Sequence, residues 1–374
     1  MTMRPALSIL AGITILLLAA LACAALPATA PAGAAAATAT AAAAAERFTG
    51  PQTVLAIEAD FSKVDANDAA RWACDVLLAI MAKDEKDLAR ARDEMRGQQQ
   101  SCSRWITDFR AAAGGGACPI VCVTESEWIL DGAYALYVPV PPAGDVERVE
   151  VVLGGGPEVR KKKQGQPRHR FDWHSDVKIW PERVVGQCIG ASHAPPPPNT
   201  EHRAQLFEAF AAADATTAPP AARIVLAPDA KMREQFGQTA PPTARTFIEP
   251  MEWLLIRYDA APLPLHVPAK LTATYRARDA AAARGVAVAW EQLIERLYTA
   301  AGCEAAEVQQ IVHLLKPKVV GDRAILSIAA AELPRLIADA RPAIRKAWRI
   351  PSPDRSKSTR RDDDDQDPTR NPPA

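Results

Sequence analysis

The residues with the most chemical potential stand in one run, Arg170-Phe171-Asp172-Trp173-His174-Ser175-Asp176-Val177-Lys178-Ile179. Side chains alternate along a strand, so Asp172, His174 and Asp176 share one face, while Phe171, Trp173, Val177 and Ile179 share the other. Two carboxylates and an imidazole on one face could ligate a metal or act as acid and base. The same alternation describes any half-exposed strand, with charges outward and aromatics inward. Asp172, His174 and Asp176 are thus the candidate catalytic residues of a chain that otherwise leans away from enzymes, because every candidate site has a simpler structural reading.

Just upstream lie Arg160, Lys161, Lys162 and Lys163, then Arg168, His169 and Arg170 beyond a turn at Gly165-Gln166-Pro167. A hairpin would gather them into a patch for the phosphate, sulfate or carboxylate groups of an anionic polymer. The competing reading is a lysine-guarded sheet edge, a common device against edge-to-edge association.

Of seven cysteines, Cys23 ends the stretch Ala20-Leu21-Ala22-Cys23, which resembles a bacterial lipoprotein box and implies acylation of its thiol. The others are Cys74, Cys102, Cys118, Cys122, Cys188 and Cys303, an even set that in an exported chain reads as disulfides. Cys74 and Cys102 fall on consecutive helical segments facing each other through Trp72 and Trp105, and are the expected bridge. Cys118 and Cys122 are four apart on one strand, at about 3.3 Å per residue too distant to join. The alternative is that some are simply small buried residues, Cys303 just past Gly302 above all. There is no Cys-x-x-Cys pair, so no metal is expected, and no cofactor either.

Gly154-Gly155-Gly156 could cradle a phosphate, but it follows a helix-like stretch at residues 145–153 and precedes no Gly-Lys-Ser/Thr, so it reads as a helix stop. Gly-x-Ser-x-Gly and His-Glu-x-x-His are missing, and Gly190-Ala191-Ser192-His193-Ala194 lacks the second glycine of a nucleophile elbow.

The elements that must position these residues follow from hydrophobic periodicity. Residues 53–61 predict a buried strand. Trp72, Val76 and Ile80 mark one helix; residues 83–96 continue helically to a stop at Gly97; a third helix carries Trp105 and Phe109 to Gly114-Gly115-Gly116. Strands are expected at 119–124 and 133–140, then a meander over 158–189 broken at Pro181. Pro195-Pro196-Pro197-Pro198 is a stiff spacer and the best internal boundary. Beyond it come a helix at 201–213, strands at 224–226, 253–259 and 271–276, and the strongest helix, from Asp279 to Gly302, with Val286, Trp290, Leu293, Ile294 and Leu297 in one stripe. A helix through Val308, Ile311, Val312 and Leu315, a hairpin about Gly321-Asp322, and a last helix at 330–348 complete the pattern. Strand runs segregate from helix runs, so the fold class is α+β: two lobes of antiparallel sheet covered by helices, residues 46–194 and 201–350.

The first 26 residues form an export segment with an apolar run at 9–26, read as a cleaved signal, a lipoprotein leader or a retained anchor, and residues 27–45 as an Ala/Pro/Thr-rich spacer. Residues 351–374 form a polar tail read as disordered. Lys+Arg and Asp+Glu are both 44, so bulk attraction to nucleic acid is not expected, and membrane contact falls to the N-terminal segment alone. The expected location is the periplasm or cell envelope, and the expected partner an envelope component.

Leu55-Ala56-Ile57-Glu58-Ala59-Asp60 and Leu254-Leu255-Ile256-Arg257-Tyr258-Asp259 echo each other as strands ending in Asp, a hint of degenerate duplication that six positions do not by themselves establish. With Lys316-Pro317-Lys318-Val319-Val320-Gly321-Asp322-Arg323 between a helix and a closing helix, and Ile224-Val225-Leu226-Ala227-Pro228 as a weaker match, the chain resembles uncharacterised exported bacterial proteins with a repeated α+β unit, mainly over residues 253–348. That resemblance implies no activity. The functional expectation is an exported binding or scaffolding protein, with an enzyme acting on an envelope polymer as the alternative.

Overall fold

The computed structural model describes residues 47–63, 65–67, 70–71, 74, 85–126, 133–153, 177–180, 182–189, 203–214, 220–239, 242–259, 270–333 and 335–340. The strands are β1 (Thr53–Asp60), β2 (Pro119–Glu125), β3 (Tyr134–Pro139), β4 (Val177–Trp180), β5 (Val184–Ile189), β6 (Ala222–Leu226), β7 (Met251–Asp259), β8 (Lys270–Ala277), β9 (Lys318–Val320) and β10 (Arg323–Ala329). The helices are α1 (Glu85–Ala112), α2 (Val146–Leu153), α3 (Ala204–Asp214), α4 (Ala230–Thr239), α5 (Pro242–Ile248), α6 (Ala280–Ala301) and α7 (Ala305–Leu314). The fold class is α+β, built on antiparallel pairing.

All ten described strands lie in one sheet of order β4-β5-β3-β2-β1-β6-β7-β8-β10-β9. The sheets expected of two lobes are therefore continuous, joined where β1 pairs antiparallel with β6 and Ile57 lies opposite Ile224. The apolar content of β1 explains its central place: all eight of its residues are buried, which only a strand covered on both faces achieves. The first half runs β1-β2-β3-β5-β4 outward from the centre, and the second runs β6-β7-β8-β10-β9 in the same connectivity. β1 thus has the rank of β6, and β7 the rank of β2. The sequence echo between residues 55–60 and 254–259 joins strands of unlike rank.

One face carries most of the helices. Ile106 and Phe109 of α1 and Val149 of α2 pack on Leu55, Ile57, Ile120 and Cys122, and Trp105 stacks on Phe109 at 5.5 Å. In the second half, Ala283 and Val286 of α6 cover Tyr275, Ala277 and Ala324 on the same side. The opposite face receives α3, whose Leu206, Ala209 and Phe210 bury against Ala56, Val225, Trp253 and Leu255. Arg203, just before α3, donates to the carbonyls of Thr53 and Ala227 at 2.9 and 2.7 Å, tying the helix across the β1–β6 junction.

Caps act where their chemistry placed them. Asp279 accepts from the Ala282 amide at 2.7 Å, and Gly302 closes α6 at φ 90. Gly97 does not stop a helix: the two helices expected on either side of it are the single α1. A lone glycine costs a helix only about 1 kcal/mol, and the Gln98-Gln99-Gln100 run beyond it favours continuation. Helices α4 and α5 were not foreseen, because Lys, Arg, Gln and Thr blur their apolar period. Of the last expected helix, residues 330–332 form a 3-10 turn and 335–340 are helical. Among the described residues no helix is long and apolar enough to cross a membrane.

Candidate functional site

Asp172, His174 and Asp176, the basic residues Arg160, Lys161, Lys162, Lys163, Arg168 and Arg170, and Cys23 all lie outside the described residues, as do residues 195–200 of the proline boundary and the polar tail. The run bearing the acid–imidazole set enters the described residues at Val177, the first residue of β4. Val177 packs on the core as expected, but Ile179 is 43% exposed rather than inward, because β4 is a short edge strand with little cover at its end.

The six described cysteines are unbridged. The expected Cys74–Cys102 disulfide is absent. Cys102 is only part-buried on α1 against the helical-face core, and Cys74 is buried in the preceding helical segment. Cys118 and Cys122 flank and enter β2 as free thiols. Burial pushes both up to about 12, with the Asp60 carboxylate adding to the effect on Cys118, so neither supplies a thiolate nucleophile near neutral pH. Among the described residues no group of three or more His, Cys, Asp or Glu side chains is arranged to hold a metal ion.

Polar chemistry concentrates instead on the face opposite the main helices, in two rows across the sheet. The inner row follows from register: Glu58 of β1 stands opposite Arg223 of β6, which stands opposite Arg257 of β7. The Arg223 Nη2 and Nε donate to Glu58 Oε2 at 3.0 and 3.3 Å, and the guanidinium lies 4.7 Å from the Phe210 ring centre. Arg257 Nε donates to Asp259 Oδ1 at 2.5 Å. At the end of β1, Asp60 accepts from the Ser62 amide and hydroxyl at 3.1 and 2.7 Å, and Lys63 lies 3.2 Å from its other oxygen. Glu58, Asp60, Arg223 and Arg257 are buried, with Lys63 and Asp259 part-buried at the row's ends, and a row of matched charge in a dry layer specifies strand register more than it meets ligands.

The outer row is half-exposed. Trp253 of β7 pairs with Arg276 of β8, and Arg276 with Arg323 of β10, so the three share one face at one level. Trp253 is fully buried, and the Arg323 guanidinium sits 5.5 Å from its ring centre. Glu208, reaching in from α3, pairs closely with Arg276 and stands 3.9 Å from Arg323. Asp322, in the β9–β10 turn, lies 3.2 Å from Arg276 Nε and 3.9 Å from Arg323 Nε. Beyond the rim of α3, no described helix covers this side of β8, β10 and β9, where Lys318, Val320 and Ser327 are exposed.

No family model, no curated protein and no solved structure matches this chain.

Sequence reasoning missed the outer row. Its members come from four separate elements, and a β-bulge between Met251 and Trp253 shifts the register that aligns Trp253 with Arg276. The one local signal was the Gly321-Asp322 turn, which places Arg323 first on its strand; Gly321 takes φ 59 there.

Proposed function

We propose that this protein is an exported binding or scaffolding protein of the cell envelope, built from two copies of one β-α-β-β-α-β-β unit, and that it meets an anionic envelope component through the side of β8, β10 and β9 that no described helix covers beyond the rim of α3. The observation carrying this reading is the asymmetry of the sheet: the helical face is packed in both halves, whereas these three strands present Arg276, Arg323, Lys318 and Ser327 toward solvent on the other face. Cationic and hydroxyl groups on a rigid sheet suit many weak contacts with phosphate or carboxylate groups. The identical strand connectivity of the halves supports duplication, and the apolar run at residues 9–26 supports export.

The test is co-sedimentation of the purified full chain with isolated envelope polymer. Lys318→Glu and Ser327→Glu put like charge on the face, and Gln309→Glu on α7 is the control. Binding lost in the two face variants and kept in the control supports the reading; equal binding by all three overturns it. Release of soluble polymer fragments over time would favour the enzyme alternative.

A further inference from the structure

We propose that Trp253, Arg276 and Arg323 form a binding site for one oxyanion group, a phosphate or a carboxylate, and that the Glu208 carboxylate holds that place until such a group displaces it. The site rests on the reading above only in taking this face as the ligand surface.

Three observations converge on it. The Trp253 Nε1 donor is fully buried and has no hydrogen-bond partner among the described residues, which leaves its desolvation uncompensated. Arg276 Nε likewise lacks a well-aligned acceptor, since Asp322 at 3.2 Å lies off the hydrogen-bond direction. Arg323 makes no hydrogen bond with a described residue; it is held by two ion pairs at 3.9 Å and by the Trp253 ring. A guanidinium laid on an aromatic face is pre-oriented and keeps its fork of donors for a planar or tetrahedral oxyanion.

Glu208 shows which chemistry fits. Its carboxylate already bridges toward both arginines, so the chain itself places an oxyanion between them. The glutamate is 43% exposed at its side chain and sits on α3, so swinging into water costs it little. An incoming oxyanion that also reaches the indole N–H would satisfy a donor that Glu208 leaves unpaired. That extra bond is the reason for exchange.

The experiment follows the indole N–H of Trp253 by NMR in the full chain, assigned through Trp253→Phe, during titration with inorganic phosphate, with acetate, and with chloride at matched ionic strength. A saturable shift with phosphate or acetate and none with chloride is expected, and the tighter of the two identifies the source chemistry. Arg323→Gln should weaken binding about tenfold, as loss of a charge-assisted hydrogen bond implies. Glu208→Gln should tighten it several-fold by removing the resident anion. No saturable shift with either oxyanion, or weaker binding in Glu208→Gln, overturns the site. Titration that succeeds while co-sedimentation fails faults the envelope reading alone, and the reverse faults this site alone.

Discussion

Glu58 and Arg223 stand opposite each other at the seam between the two halves, with 9% and 1% of their side chains exposed. Truncating one member of such a pair leaves its partner's charge under-compensated in a dry layer, so Glu58→Ala should cost on the order of 3 kcal/mol in urea denaturation. Replacing both, Glu58→Met with Arg223→Met, should recover part of that loss; a double variant less stable than the single one would contradict the argument. The thiols of Cys118 and Cys122 set a second residue-scale expectation. Burial raises both from 9.0 to about 12, so the folded protein binds protons there that the unfolded chain gives up. The stability tied to this preference is fully present below pH 9 and is lost as pH rises toward about 12. Urea midpoints should therefore fall across that window, and fall less in Cys122→Ala relative to its own value at neutral pH. An unchanged alkaline slope in that variant would place the effect elsewhere.

At the scale of elements, two glycines of α1 and its exit behave oppositely for physical reasons. A Cβ built at Gly97 meets nothing within 4 Å, and the residue lies inside a helix, so Gly97→Ala should stabilise by about 0.5–1 kcal/mol. At Gly114, φ is +79 and the new Cβ would fall 2.6 Å from the Ala143 carbonyl oxygen, a backbone atom without freedom to retreat. Gly114→Ala should cost about 1–3 kcal/mol, through left-handed strain and overpacking together. Thermal melts of the pair check both signs at once. Periodicity located α3, α6, α7 and most strands because each has one dominant apolar face. It failed at Gly97, where a breaker was outweighed by its helix-forming neighbours, and at α4 and α5, whose polar sequences make helices that tertiary contacts such as Phe247 beside Trp290 help to hold.

For the whole molecule, continuity through β1 and β6 predicts shared unfolding. Amide exchange should be slowest in β1 and β6, which are paired on both edges and buried on both faces, and fastest in the edge strands β4 and β9. Two separate plateaus, one for residues 53–189 and another for 222–329, would show that the halves open independently. What the sequence by itself determined is local: Thr53–Asp60 as a buried strand, Asp279 and Gly302 as the ends of α6, Gly321-Asp322 as a turn, and the antiparallel α+β class, since each rests on a few adjacent residues whose periodicity or backbone preference is legible in order. The outer row was not legible. Glu208, Trp253, Arg276 and Arg323 are unremarkable in sequence, and meet only because β10 enters beside β8, a bulge shifts the register of β7, and α3 crosses the β1–β6 seam. Such a site depends on pairings between distant segments, where a shift of one residue turns every side chain to the other face, so only the assembled sheet could decide which charges stand together.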